Sequence, residues 1–375
     1  MPSSPRDAPA RIRLADGRWL GFRQIGEPDG IPVLYCHGSP SSSSEWRLFG
    51  RSEQIAAAGL RLVAPDRPGA GASTFQRGRR ILDWPADAAE LMDQLGIERF
   101  AVLGYSGGGP YALACALRSS ERLIAVVTVS GTGPFDLPGV TDAIGADSWR
   151  FMQLSRSRSL VSRAIRWAMG LTARFAPDRF AAQARRALPP ADAAALGDPE
   201  LGRAFARLVY EATHGSPQSA QHDTALMIGP WGFDPAEVQP AVRMWHGTED
   251  RNAPPAMGRH LADRLPRAEL TWLEGEGHIS AAANRSSEIL QALAARAGSA
   301  GLGLVVMLVV GFPANINVAL NNLQTDLVPG SPVYQWGRLL MQPLLVWFVA
   351  WASGLVPRTP RHRAAAGESL GRVGA

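Results

Sequence analysis

Gly104-Tyr105-Ser106-Gly107-Gly108 decides how this chain is read. The pentapeptide sits between an apolar run, Phe100–Gly104, that reads as a buried strand, and a helical pattern over Gly107–Arg118. A strand that turns straight into a helix at G-x-S-x-G forces the central serine into a strained backbone conformation and lifts its hydroxyl above the sheet. Small residues on either side let strand and helix approach without collision. The Gly107 amide, at the start of the new helix, then points toward any negative charge developing beside Ser106, helped by the helix dipole. The plain alternative is that Ser106 is a small residue in a tight turn.

Partners elsewhere in the chain favour the chemical reading. A serine hydroxyl is a poor nucleophile without an adjacent base, and the base needs a third group to fix its tautomer. Gly275-Glu276-Gly277-His278 supplies a histidine in the loop expected after the last strand, Glu269–Leu273. His246-Gly247-Thr248-Glu249-Asp250 follows the preceding strand, Val242–His246, and offers an acid. Ser106 as nucleophile, Asp250 as acid and His278 as base form the expected catalytic set, in the order Ser–Asp–His. Glu249, one residue away, and Asp136, after an earlier strand edge, are the alternative acids. A tetrahedral intermediate needs a second hydrogen-bond donor besides Gly107. His37-Gly38-Ser39-Pro40 ends an early strand and places the Ser39 amide to provide it; a simple turn set by Gly38 and Pro40 is compatible with that role. His37 and His246, at strand ends, read as structural hydrogen-bonding groups.

The rest of the chain alternates strands and helices. Arg11–Ala15 and Trp19–Ile25 flank Asp16-Gly17-Arg18 as a hairpin. Pro32–Cys36, Arg61–Ala64 and Ile124–Ser130 are further strands; Glu45–Ala58, Trp84–Leu95, Ala256–Leu265 and Asn284–Arg296 are helices. This rhythm predicts a mostly parallel α/β sheet with helices on both faces. It breaks between Phe135 and Asp223, where helical, arginine-rich stretches replace strands. The expected organisation is a core built from 11–134 and 226–297 with a helical cap inserted at 135–225. Within the cap, Arg156 to Arg186 carries eight arginines against one acid, Asp178, with apolar residues interleaved. Such a helix could lie on an anionic membrane; the preferred reading turns its apolar face to the pocket and its charges to water. Trp231-Gly232-Phe233-Asp234 is either aromatic surface near the cap hinge or core packing.

Taken as a set, His37-Gly38-Ser39-Pro40, Asp66-Arg67-Pro68-Gly69-Ala70-Gly71-Ala72-Ser73, the serine turn, His246-Gly247-Thr248-Glu249-Asp250 and Gly277-His278 resemble the α/β-hydrolase superfamily. The resemblance spans roughly residues 11–297 and is nearest to its bacterial esterase, proline-iminopeptidase-like and haloperoxidase-like members. It implies an eight-stranded sheet, a cap between the sixth and seventh strands, and hydrolysis of an ester, less readily an amide, of an apolar small molecule without metal or organic cofactor. Serine at position 106 is unlike the aspartate that haloalkane dehalogenases and epoxide hydrolases use there. An aminopeptidase of the proline-iminopeptidase type and a non-catalytic ligand-binding or scaffold protein on this fold are the alternatives.

Composition narrows the remaining classes. All 38 basic residues are arginine, and the net charge is +5. No basic-aromatic strip or zinc-finger spacing accompanies that charge, so nucleic acid is not an expected partner. Cys36 and Cys115 lie in apolar runs without metal-ligand spacing and read as buried small hydrophobes. Met1–Ala10 is polar and proline-rich and has no apolar signal core. Two long uncharged stretches, Gly301–Leu320 and Leu339–Pro357, are each long enough to cross a bilayer as a helix. Their strings Phe312–Leu320 and Arg338–Leu345 resemble the last two membrane helices of DoxX-like small membrane proteins, whose members normally carry more spans. That resemblance implies a fused or truncated remnant acting as an anchor through 301–357, followed by a basic tail, 358–375. Arg358, Arg361 and Arg363 after the second span predict a cytoplasmic C-terminus, which puts the hydrolase part on the cytoplasmic side as well.

Overall fold

The computed structural model describes residues 8–295, except 51, 158, 215 and 216, together with Trp347. The apolar runs form β1 (Ala10–Arg13), β2 (Trp19–Gly26), β3 (Ile31–Cys36), β4 (Leu60–Pro65), β5 (Phe100–Tyr105), β6 (Leu123–Val129), β7 (Val242–Gly247) and β8 (Ala268–Leu273). They make one eight-stranded sheet in the order β1-β2-β4-β3-β5-β6-β7-β8. Only β2 runs against the others: it pairs antiparallel with β1 and β4, while every later pair is parallel. β5, at the centre, is buried along its whole length, which explains why it reads as a continuous apolar run rather than an alternating one. From β3 the chain steps to one side for β4 and to the other for β5. The strand order therefore reverses there, and crevices at the carboxyl ends of strands flanking such a point are where α/β sheets place their sites.

Three helices, α1 (Ser52–Ala57), α2 (Trp84–Gln94) and α3 (Gly109–Arg118), precede β6. Seven more fill the segment between β6 and β7: α4 (Val140–Ile144), α5 (Ala146–Ser155), α6 (Leu160–Phe175), α7 (Pro177–Ala184), α8 (Pro190–Ala195), α9 (Pro199–His214) and α10 (Pro217–Ile228). α11 (Pro255–Arg264), α12 (His278–Asn284) and α13 (286–295) complete the described part. The main core joins sheet residues Leu34, Val63, Val102 and Val126 to Trp84, Leu91 and Tyr111 of α2 and α3 and to Leu261 of α11. Burying each large side chain of this kind stabilises the fold by about 1.5–3 kcal/mol.

Several local expectations are corrected. The single helix over Glu45–Ala58 is instead a 3-10 segment, Ser43–Phe49, followed by α1. Gly50 separates them at φ +110°, a conformation no helix continues through. The helix beginning at Gly107 starts as a 3-10 turn, Ser106–Gly108, before α3. The helix placed at Asn284–Arg296 is two segments, α12 and α13, and begins earlier, at His278. Trp231 is buried in the main core, its ring 5.8 Å from that of Phe233, as packing requires. In α6 the preferred orientation is reversed: Leu160, Val161, Trp167 and Phe175 face solvent, while Arg166 is buried. Among the described residues no helix is long and apolar enough to cross a membrane. The two stretches expected to do so, within 301–357, and the tail 358–375 lie outside the described residues.

Candidate active site

Ser106 directly follows β5 and has φ +53°, a left-handed conformation that costs a non-glycine residue about 1–3 kcal/mol. The turn survives because its neighbours leave no alternative path. A Cβ on Gly108 would overlap the Cys36 carbonyl, so the serine turn is pressed against the end of β3. The Ser106 side chain emerges partly exposed at the carboxyl end of the sheet.

His278 Nε2 lies 2.9 Å from Ser106 Oγ, and His278 Nδ1 lies 2.7 Å from Asp250 Oδ2. Asp250 is buried at the end of β7, and its other oxygen accepts from the amides of Asn252 and Ala253, each at 2.8 Å. Burial opposes ionisation of Asp250, but the His278 imidazole, with smaller help from His246 and the Ala253 amide, outweighs it and holds its carboxyl below the ordinary aspartate range. Burial likewise works against a charged His278. The Asp250 carboxylate overcomes this, with smaller help from Asp192 and Glu45, so His278 titrates above the ordinary histidine value. With Asp250 ionised, Nδ1 of the neutral ring carries the proton and donates to it. Nε2 is then left to accept from the Ser106 hydroxyl. Neither Glu249 nor Asp136 takes this place beside the ring.

The backbone of His278 is fixed from an unexpected side. His278 opens α12, and the carboxylate of Asp192, from cap helix α8, accepts from the amides of His278 (3.0 Å), Ile279 (2.9 Å) and Ser280 (2.9 Å). The donors left open by the first turn of α12 are thus satisfied by a buried acid 86 residues earlier in the chain. Tyr105, the residue before the serine, donates its hydroxyl to the His278 carbonyl at 3.0 Å, and the two rings lie 5.2 Å apart.

Ser39 and Gly107, the two expected oxyanion donors, lie next to each other. A Cβ built on Gly107 would stand 3.0 Å from the Ser39 amide nitrogen and 3.0 Å from Met227 Sδ of α10, so both backbones and a cap side chain meet beside the serine. The loop carrying Ser39 is held by charged groups. Gly38 donates its amide to Glu45 Oε2 at 2.5 Å, and Tyr35 donates its hydroxyl to the same oxygen at 2.9 Å. Burial pushes the Glu45 carboxyl up, only partly offset by the Gly38 amide. Arg67 donates to the carbonyls of His37 and Gly38, to Ser39 Oγ at 2.7 Å and to Asp223 Oδ2 at 2.5 Å. Its guanidinium carbon lies 4.4 Å from the centre of the Tyr111 ring. Arg79 also donates to Asp223, and Ser39 Oγ donates to it at 2.8 Å. Asp223 belongs to α10; despite full burial, the two arginines drive its carboxyl far below the usual range. His37 accepts from the Arg67 amide at 3.1 Å and donates to the Gly38 carbonyl at 2.8 Å. Burial lowers its pKa, and the same holds for His246, 2.7 Å from the Ala253 carbonyl. Both histidines are structural.

Among the described residues no group of three or more His, Cys, Asp and Glu side chains could hold a metal ion. The assembled groups can take a proton from a hydroxyl, pass it on, and stabilise an oxyanion between two amides. Sequence reasoning missed Glu45, Arg79, Asp192 and Asp223 and treated Arg67 as a loop residue.

The profile described as alpha/beta hydrolase fold matches residues 31–282. A non-heme chloroperoxidase of Streptomyces lividans is 31% identical over 139 residues, which is 36% of this chain and 49% of that protein. The chain thus spans about half the length of this curated relative. A 2-hydroxymuconate semialdehyde hydrolase of Pseudomonas sp. (strain CF600) is 26% identical over 293 residues, covering 74% of this chain and 90% of its own length. Among solved structures, an alpha/beta hydrolase fold protein from Nakamurella multipartita superposes with a TM-score of 0.58 at 23% identity, over 76% of this chain and 97% of that one. Sheet order, the strained serine at the end of the central strand and a profile match across both halves of the core all agree: the chain belongs to the alpha/beta hydrolase fold family.

Proposed function

We propose that the chain is a serine hydrolase that cleaves a carboxylic ester, less readily an amide, of an apolar small molecule. The observation that carries this reading is the continuous hydrogen-bonded line from Ser106 Oγ through His278 to Asp250, at 2.9 and 2.7 Å. His278 takes the serine proton as Oγ attacks the substrate carbonyl. The oxyanion forms beside the amides of Ser39 and Gly107, two backbones that meet next to the serine. His278 then returns the proton to the leaving oxygen, and the acyl group stays on Ser106. Water, deprotonated by the same imidazole, attacks the acyl carbon and releases the acid. Met227 beside Gly107, on the edge of an apolar cluster with Phe135, Ile144 and Met257, supports an apolar acyl or leaving group.

A fluorophosphonate probe and a series of p-nitrophenyl esters of increasing acyl length test the proposal. Labelling at Ser106 and turnover that both vanish in Ser106→Ala support it. No labelling and no turnover by the intact chain defeat it and leave a non-catalytic ligand-binding role. The long alignment with the semialdehyde hydrolase favours one second reading, hydrolysis of such a compound by the same three residues. The substrate series therefore includes 2-hydroxymuconate semialdehyde.

We further propose that residues 301–357 anchor the chain in a bilayer, with the hydrolase part on the cytoplasmic side. Support comes from the length and lack of charge of 301–320 and 339–357. Alkaline carbonate extraction of membranes from cells making the full chain tests this; release of the protein into the supernatant would sink it.

A further inference from the structure

Helix α6 packs inside out. At 3.6 residues per turn, Ser162, Arg166, Gly170 and Ala173 fall on one side, and that side is buried. It packs on α9, where small residues permit close approach. Arg166 is satisfied there by the Ser155 carbonyl and Ser162 Oγ. The opposite face holds the large apolar side chains, and they are in solvent: Leu160 is 77% exposed, Val161 62%, Trp167 61% and Phe175 79%. An amphipathic helix normally buries such residues, so an apolar face turned outward marks a surface that meets something apolar.

Its surroundings identify the chemistry of what it meets. Arg163 and Arg174 line one edge of the face, Arg174 with its guanidinium carbon 5.5 Å from the centre of the Tyr210 ring. No acidic residue occurs from Arg156 to Pro177. Beside the face, Leu160, Arg163, Ala164, Arg166, Trp167 and Thr213 border an open cavity of about 330 Å³, large enough to admit the end of an alkyl chain between the two arginines. Apolar side chains including an interfacial tryptophan, edged by two arginines on a helix that carries no acid, match the boundary between headgroups and acyl chains of an anionic bilayer. The bilayer anchor proposed for 301–357 is in keeping with such a surface.

We infer that the outward face of α6 docks on the surface of an anionic membrane, with Leu160, Val161, Trp167 and Phe175 entering the lipid and Arg163 and Arg174 meeting lipid phosphates. This surface is separate from the serine site, so the inference stands whatever substrate that site takes.

The test uses the full chain reconstituted in vesicles of phosphatidylcholine alone or mixed with equal parts of phosphatidylglycerol. An environment-sensitive fluorophore is attached at Val161→Cys or, as control, at Glu121→Cys, an exposed position on the core; Cys36 and Cys115 are buried. The expected result at 161 is a blue-shifted emission, several-fold brighter in the phosphatidylglycerol vesicles and quenched by spin-labelled lipid, with position 121 unchanged. Arg163→Gln and Arg174→Gln should each lower the docked-to-free ratio about fivefold, with thermal melting unchanged. A fluorophore at 161 that stays as water-exposed as the one at 121 in both vesicle types overturns the inference. So does one that is shielded equally in both types and not quenched by lipid. In that case a change with protein concentration assigns the cover to a second copy, and no change assigns it to the chain's own residues 301–357.

Discussion

Asp192 offers the sharpest test of how the site is held together. Its carboxylate takes three amides at the start of α12, at 3.0, 2.9 and 2.9 Å, and the first of them belongs to His278. In Asp192→Ala all three donors lose their partner. A buried donor left unpaired costs about 1–3 kcal/mol. Three adjacent ones share relief when the turn frays, and a lost N-cap costs about 0.5–2 kcal/mol, so a total near 2–4 kcal/mol follows. Asp192→Asn is the cleaner change. It keeps an oxygen for Ile279 and Ser280 but turns an amide group toward the His278 N–H, donor against donor. It also removes a negative charge that helps hold the imidazolium. His278 must be neutral to act as a base, so kcat/KM rises as pH climbs through its pKa. That pKa is raised, and losing the Asp192 charge lowers it, so the acid limb of the Asp192→Asn profile moves to lower pH. A shift of the ring by a fraction of an ångström lowers kcat about 10–100-fold and leaves KM nearly unchanged. Steady-state kinetics between pH 5 and 9, with melting curves beside them, make the measurement. A folded Asp192→Asn protein with the parent kcat and an unmoved acid limb would refute the reasoning.

Three further outcomes follow from the same geometry. Asp250→Asn should lower kcat about 10⁴-fold without loss of fold, because an amide cannot hold the Nδ1–H tautomer; steady-state ester hydrolysis reads it. Gly107→Ala places a Cβ 2.8 Å from Ser39 Cβ and 3.0 Å from the Ser39 amide, and forcing the two donors apart should cost about 10²–10³ in kcat, while a fluorophosphonate still finds Ser106 at a reduced rate. Asp223→Asn removes the only charge balancing Arg67 and Arg79 among the hydrogen-bond partners described for them, and should destabilise the fold by about 3–5 kcal/mol at neutral pH by chemical denaturation. The folded-state pKa of Asp223 is depressed, so its contribution is complete above the unfolded carboxylate value. It is lost as pH falls, and the gap between the two proteins should narrow below about pH 4.

The central machinery was legible because backbone geometry dictates it. A strand that bends into a helix over a serine needs glycine at 104, 107 and 108, and only that pattern recurs visibly in a sequence. The loop histidine and the acid after β7 were legible for a related reason: both follow strands that announce themselves by apolar runs. His278 was misread as a loop residue because the cap that starts α12 is not a neighbour in sequence. Asp192 comes from an alanine-rich segment, Pro190–Ala195, where nothing distinguishes it from a solvent-facing acid. Arg67 and Arg79 were hidden by composition, since every basic residue is arginine and a single one carries no signal. In α6 the apolar periodicity was correctly seen and its direction wrongly assigned. Periodicity gives a face but not its partner; the small residues at 162, 170 and 173 were the clue to which side packs.

The two cap aspartates change what the inserted helices are for. Asp223 on α10 binds the loop that carries Ser39, and Asp192 on α8 binds the turn that carries His278. An oxyanion donor on one edge of the site and the base on the other are therefore both anchored in residues the sheet does not supply. Lifting α8 and α10 away would separate Asp223 from Arg67 and Arg79 and take the acceptor from three amides, at a cost of several kcal/mol.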